Sequence, residues 1–176
     1  MKLAETNYDN RETACCARFD PEAWDEGEVI WDHAPFVHER VRAFLHIPLT
    51  FGRAIKRAND AIEAAAAYPA DPLTLTRHAS PWRSDLFVTA ERDVPGATMS
   101  RLSGTFLTKV FEGPYRDAGE WDKEIREQAR AGGRDVSDVY FYYTNCPRCA
   151  KHFGKNYVVL FAKLAEGRGR PGPTKT

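Results

Sequence analysis

The feature that most restricts how this chain can fold is a pattern of elements that occurs twice. In the first copy an extended run, Arg40 to Pro48, precedes a segment over Gly52 to Ala67. There Ala54, Ile55, Ala58, Ala61, Ile62 and Ala65 keep the spacing of one helix face. Tyr68-Pro69 ends the helix, and two β-rich runs follow, Leu73 to His78 and Ser84 to Arg92, joined through Ser80-Pro81-Trp82-Arg83. The second copy opens with an extended run, Met99 to Glu112, and the turn Gly113-Pro114-Tyr115. A helix over Ala118 to Ala131 comes next, stopped by Gly132-Gly133, and then strands Val139 to Thr144 and Asn156 to Leu164. The halves share pattern and not residue identity.

A single strand-helix-strand-strand module cannot cover both faces of its own sheet. Two of them joined edge to edge predict an α+β fold: one antiparallel sheet, both helices on one face, and a ligand cavity on the other. The domain is expected over residues 36–164, with halves of about 36–95 and 96–164. Residues 1–35 read as an irregular segment packed on it, with Asp20-Pro21 and Ala34-Pro35 as breakers, and residues 165–176 as a flexible tail.

Composition narrows the function classes. The 176 residues are 43% hydrophobic and 12% aromatic, enough for a packed core and inconsistent with disorder throughout. The formal net charge is +0, which argues against nucleic acid as a partner, because phosphate neutralisation draws on a basic excess. No apolar run approaches the ~20 residues that span a bilayer. The first residues, MKLAETNYDNRETACC, lack an apolar signal-peptide core, so a cytoplasmic location is expected, with no membrane partner.

Four cysteines form two close pairs, Cys15-Cys16 and Cys146-Pro147-Arg148-Cys149. Buried structural thiols, a four-thiolate zinc site and a redox pair are the three readings. Adjacent cysteines splay apart along the chain, so only one pair has the spacing that curls around a tetrahedral ion. The run AKHFGKN after Cys149 reads as a turn, whereas redox CxxC motifs open a helix. Structural thiols are therefore the expectation, with no metal and no cofactor.

Aromatic residues are concentrated where a cavity would lie. Val139-Tyr140-Phe141-Tyr142-Tyr143 carries rings on both faces of its strand, since side chains alternate with period 2. One face must be helix-packed core, and the other carries either Tyr140 and Tyr142 or Phe141 and Tyr143. Tyr157 and Phe161 share one face of the last strand, and Trp82 sits in a turn where a large ring can wall a pocket.

Val110-Phe111-Glu112-Gly113-Pro114-Tyr115, followed by Trp121 and Ile125 on a helix and by the tyrosine-rich strand, resembles the second half of GyrI-like small-molecule-binding domains. Further runs are Cys15-Cys16-x-x-Phe19-Asp20-Pro21, Ile47-Pro48-Leu49-Thr50-Phe51-Gly52, His78-x-Ser80-x-Trp82-x-x-Asp85 and Cys146-Pro147-x-Cys149-Ala150-Lys151 through Val159. These are similar to the subfamily that includes the cyclopropanoid cyclopropyl hydrolases. That resemblance implies a hydrolase opening the cyclopropane of DNA-alkylating antibiotics of the yatakemycin and duocarmycin type, for self-resistance or detoxification. It implies an aromatic cage for the drug, here Trp82, Phe111, Tyr140, Tyr142 and Tyr157. The alternative is a protein that binds and sequesters drugs without turning them over. Many GyrI-like binders carry a cavity glutamate where Tyr157 stands here. A phenol in place of that carboxylate suits a flat, neutral, aromatic ligand.

Opening such a ring requires a hydrogen-bond donor at the conjugated carbonyl, whose oxygen becomes a phenolate, and a positioned water at the ring methylene. Tyrosine hydroxyls suit the donor. Glu112 is the candidate for holding or deprotonating the water; equally it can be a surface carboxylate favoured near the following helix N-terminus. His46 is a second candidate base, and Asp85 either a turn acceptor or a pocket group.

Overall fold

Apolar side chains at four-residue steps give each of two helices one sticky face, and both faces find the same kind of surface. The computed structural model describes residue 16 and residues 18–44 and 47–166. Its elements are β1 (Gly27–Phe44), β2 (Ile47–Pro48), α1 (Phe51–Ala64), β3 (Thr74–Ser80), β4 (Arg83–Thr89) and β5 (Met99–Glu112). These are followed by α2 (Ala118–Ala131), β6 (Val136–Tyr143), α3 (Pro147–Phe153) and β7 (Tyr157–Leu164). The doubled strand-helix-strand-strand order is present as β1-α1-β3-β4 and β5-α2-β6-β7, with β2 and α3 added.

Two differences from the sequence reading follow from β1. It starts at Gly27 and runs for 18 residues, well into the segment expected to be irregular. A bulge between Trp31 and Ala34, with His33 at φ 51°, breaks the period-2 alternation and so hides the strand in the sequence. The extra residue resets the alternation, so that Val29, Trp31, Ala34 and Phe36 join a single core cluster. Being so long, β1 pairs twice: Gly27 to Val37 with β5, and Phe36 to Arg42 with β4.

That double pairing changes the architecture. The antiparallel ladder runs β1-β4-β3-β6-β7-β5 and returns to β1, a ring of six strands with β2 appended to β1. The expected open sheet with a cavity opposite the helices is therefore corrected to a barrel. The face away from the helices has become its interior. Six strands enclose a narrower space than the eight-stranded barrel whose interior side chains just fill, and rings pack it. Trp31 lies 4.5 Å from Phe106 and 5.6 Å from Phe161, and Tyr140 packs edge-on to Phe87 at 5.5 Å.

The helices cover the outside. Ala54, Ala58 and Ile62 of α1 are fully buried against Val37, Val41, Leu86 and Val88 of β1 and β4. The small alanines let the helix axis approach the sheet closely. Trp121, Ile125 and Ala129 of α2 are buried, and the first two pack with Phe111, Val158 and Leu160. Each such large apolar side chain contributes roughly 1.5–3 kcal/mol by leaving water.

One further correction concerns the segment after β6. Residues 147–153 form α3 and not a turn; Cys146 stands at its start, and Gly154, at φ 69°, ends it in the left-handed conformation that glycine adopts without strain. His46 and Cys15 lie outside the described residues.

Candidate functional site

Because α1 packs over β1 and β4 while α2 packs over β7, β6 and β5, the line where β3 meets β6 falls between the two helices. The seam carries a single register pair, Thr76 with Phe141. A cleft of about 1750 Å³ opens over it. Thr76 and His78 of β3 and Phe141 and Tyr143 of β6 line its base, Phe51 and Ile55 of α1 one wall, and Gly119 and Lys123 of α2 the other. Tyr115, Asn145, Cys16 and Cys146 lie toward one end. The mixture of aromatic surface with a few polar groups is typical of small-molecule sites.

The polar groups converge. His78 Nε2 is 3.0 Å from the Tyr143 hydroxyl, and His78 Nδ1 is 3.3 Å from Ser84 Oγ. The His78 ring meets Phe141 edge-on at 4.9 Å, and Tyr143 meets Tyr115 at 5.2 Å with the planes at 89°. Burial, with a smaller contribution from Tyr115, pushes the Tyr143 phenol well above its ordinary range. Tyr115 is raised too, chiefly by burial, and donates to the Asn145 carbonyl at 2.8 Å. Both phenols are therefore protonated at neutral pH, so Tyr143 can act as a donor.

Three buried polar atoms of lining residues lack a hydrogen-bond partner, Thr76 Oγ1, Arg77 Nε and Asn145 Oδ1. Thr76 is 2% exposed and Asn145 4%. Buried polar atoms in folded proteins are nearly always paired, so an orphan on a cleft floor marks where a ligand can bond.

A second polar cluster closes one end of the barrel. Asp85, 2% exposed, accepts from Arg77 Nη2 at 2.8 Å and lies 3.2 Å from His38 Nε2. Burial alone would raise the Asp85 pKa, but the hydrogen bonds and charges of Arg77 and His38 outweigh it and hold the carboxyl below its usual value. Arg77 also reaches Asp138 at 3.3 Å and lies over the Phe87 ring. Asp85 is thus a structural acceptor inside the barrel and not a turn residue.

The residues singled out in the sequence are dispersed. Tyr142, half-buried, lines the cleft and contacts Phe19 and Trp24. Tyr140 is buried in the barrel interior with Phe87 and Phe106. Tyr157 packs on Phe19 at 5.8 Å and accepts from Lys155 Nζ at 3.2 Å. Phe111 lies under α2, stacked on Trp121 at 5.6 Å. Trp82 is 59% exposed beside Phe44. Glu112 is exposed, 3.5 Å from Lys155 Nζ, and is not among the groups lining the cleft. The sequence reading missed Thr76, His78 and Tyr143. In the sequence His78 appears only within a motif, and Tyr143 lies on the alternative face of its strand. The sulfurs of Cys16, Cys146 and Cys149 lie within 4.8 Å of one another, the arrangement among the described residues that suits a metal.

Similarity to known proteins agrees with this architecture. An uncharacterized conserved protein from Listeria innocua superimposes with a TM-score of 0.60 at 10% identity, over 81% of this chain and 94% of that one. A hydrolase from Listeria innocua superimposes with a TM-score of 0.58 at 11% identity, over the same shares. At such identities these likenesses show the fold. No curated protein matches the sequence. Among the described residues no helix is long and apolar enough to cross a membrane. The sequence pattern of the family described as Bacterial hydrolase, however, matches residues 6–164, spanning both modules, the cleft and all four cysteines, and on that match the chain belongs to this family.

Proposed function

We propose that the cleft between α1 and α2 is a hydrolase active site for a flat, uncharged, largely aromatic molecule, with Tyr143 as proton donor and His78 as its partner. The observation that carries this reading is the His78–Tyr143 contact on an aromatic floor, beside the orphan Thr76 hydroxyl. The cleft lining also includes Arg77, Arg83, Arg116, Lys123 and Arg126 against Asp122 and Asp138, a cationic excess that disfavours a cationic ligand and suits developing negative charge on oxygen.

The resemblance to cyclopropanoid cyclopropyl hydrolases supplies the finer substrate class: a cyclopropane conjugated to a dienone, as in yatakemycin-type alkylators. In that reaction a bond forms from the water oxygen to the ring methylene as the methylene–ring bond breaks. The electron pair moves through the dienone to the carbonyl oxygen, which takes the Tyr143 proton. His78 returns a proton to Tyr143, and the proton lost by the attacking water restores His78. Glu112, expected as the base, has Lys155 as its neighbour outside the cleft lining, so the proton-handling role passes to His78 in this scheme.

The test is to incubate purified protein with a yatakemycin-type drug and follow product mass. A gain of one water over many turnovers supports the proposal. Intact drug bound at one equivalent would instead assign sequestration, and no binding would remove this substrate class.

A further inference from the structure

We propose that Cys16, Cys146 and Cys149 form a thiolate site for a divalent thiophilic metal ion, zinc by its chemistry, that fastens the segment before β1 to the start of α3. The three Sγ atoms come from two stretches at opposite ends of the chain and all lie within 4.8 Å of one another. Tetrahedral thiolates at ~2.3 Å from zinc stand about 3.8 Å apart, so small side-chain rotations complete the geometry. The Cys146-x-x-Cys149 spacing supplies two of these ligands in the way zinc sites commonly do. Cys146 immediately precedes α3 and Cys149 lies within its first turn, which brings both sulfurs to one end of the helix.

The sequence favoured structural thiols because adjacent cysteines cannot both curl around one ion. The fold removes that objection, since the site needs only Cys16 from that pair. A CxxC opening a helix is also a redox arrangement, but a dithiol needs two sulfurs. A third, delivered from a separate segment, is what a metal uses and a disulfide does not. Binding forms three sulfur–metal bonds and releases three thiol protons, with the fourth position left to water or another donor.

The placement gives the ion a consequence. Shortly after Cys16, Phe19 and Trp24 seal the barrel end: Phe19 packs on Tyr157 and Tyr142, and Trp24 on Tyr142 and Phe161. Cys16, Phe19 and Cys146 also line the cleft. A metal clasp here therefore holds one end of the cleft in shape. This inference is independent of the substrate class proposed above, because its readout is metal and not turnover.

The experiment uses the full chain without an affinity tag, purified under reducing conditions without chelator, then stripped and reloaded with zinc or cobalt alone. The expected result is about one zinc per chain and, on reloading, a thiolate-to-cobalt charge-transfer band. Cys16→Ser and Cys149→Ser should each abolish the band and weaken zinc binding at least ~10-fold. Cys16 is only half-buried, so Cys16→Ser keeps the test decisive if Cys149→Ser fails to fold. Chelator should lower the melting temperature of the wild type and leave Cys16→Ser unmoved. A folded protein that takes up no zinc or cobalt with its thiols reduced overturns the proposal. So does a stable Cys146–Cys149 disulfide under cytosolic glutathione conditions.

Discussion

The Tyr143 hydroxyl and His78 Nε2 lie 3.0 Å apart across the β3–β6 seam, each brought there from a different module of the duplicated fold. Neither module alone carries both groups, so the pair exists only because β3 of one module joins β6 of the other. Burial keeps the phenol protonated, as the donor role requires. With a cyclopropane-bearing dienone, Tyr143→Phe should lower kcat by about 10²-fold or more with little change in KM, the usual loss when a positioned acid is removed. His78→Gln should lower it less. Because the Tyr143 pKa is raised, the wild-type rate should show no fall from phenol ionisation between about pH 7 and about pH 9. Steady-state kinetics across that range check both statements, and a fully active Tyr143→Phe would discard the assignment.

A separate pH dependence belongs to Asp85. Its carboxyl titrates lower in the folded chain than in the unfolded one, where about 3.9 is expected. A depressed carboxyl pKa stabilises the fold above the unfolded value, and the contribution is lost as pH falls through the folded value. Asp85→Asn should therefore cost on the order of 3 kcal/mol at neutral pH, because it leaves the Arg77 guanidinium without its main partner. The difference between variant and wild type should shrink below about pH 4. Urea melts at neutral and acidic pH measure it; a gap independent of pH would mean the network is not what holds this end of the barrel.

How much of this was legible in the residues differs from element to element. The bounds of α2 and β5 could be read directly, because Trp121, Ile125 and Ala129 keep strict helical steps and the 99–112 run contains no proline. By contrast β1 was hidden by its bulge and by Pro35, and with it the second pairing that closes the barrel. Closure is a long-range event between Gly27–Val37 and Met99–Thr108, and no local pattern reports it. It also decided which aromatic face is which. Tyr140 turns into the ring-filled interior and half-buried Tyr142 packs at its edge, reaching the cleft, whereas Phe141 and Tyr143 join the α2-side cluster. A run of four consecutive aromatics, Tyr140 to Tyr143, gives no hint of that choice. Nor could spacing alone show that Cys16 and not the adjacent pair would meet Cys146 and Cys149.

Two aromatic residues expected in the cage separate cleanly by burial. Phe111 is 8% exposed and stacked on Trp121, so Phe111→Ala should cost about 3–4 kcal/mol by leaving a cavity under α2. Trp82 is 59% exposed, so Trp82→Ala should change stability by less than about 1 kcal/mol. Thermal or chemical denaturation of the two variants side by side tests the contrast. A large loss from Trp82→Ala would show that its contact with Phe44 holds the β3–β4 turn in place.

The turn after β5 sets a last expectation at Gly113. A Cβ there would stand 3.1 Å from Trp121 Cζ2, and the backbone φ is +157°. The turn cannot move aside freely: Gly113 N–H donates to the Asn156 carbonyl at 3.0 Å, and its own carbonyl accepts from Asn156 Nδ2 at 2.7 Å. Gly113→Ala should therefore destabilise the protein by about 1–3 kcal/mol through overpacking. The φ strains any L residue there, but the contact part of the cost is specific to the indole, so Trp121→Leu, itself costly, should relieve that part. The double variant should then be more stable than the sum of the two single losses by about 1 kcal/mol, a coupling that a denaturation cycle reads directly. Strict additivity would place the strain in the backbone of the turn and not in its contact with α2.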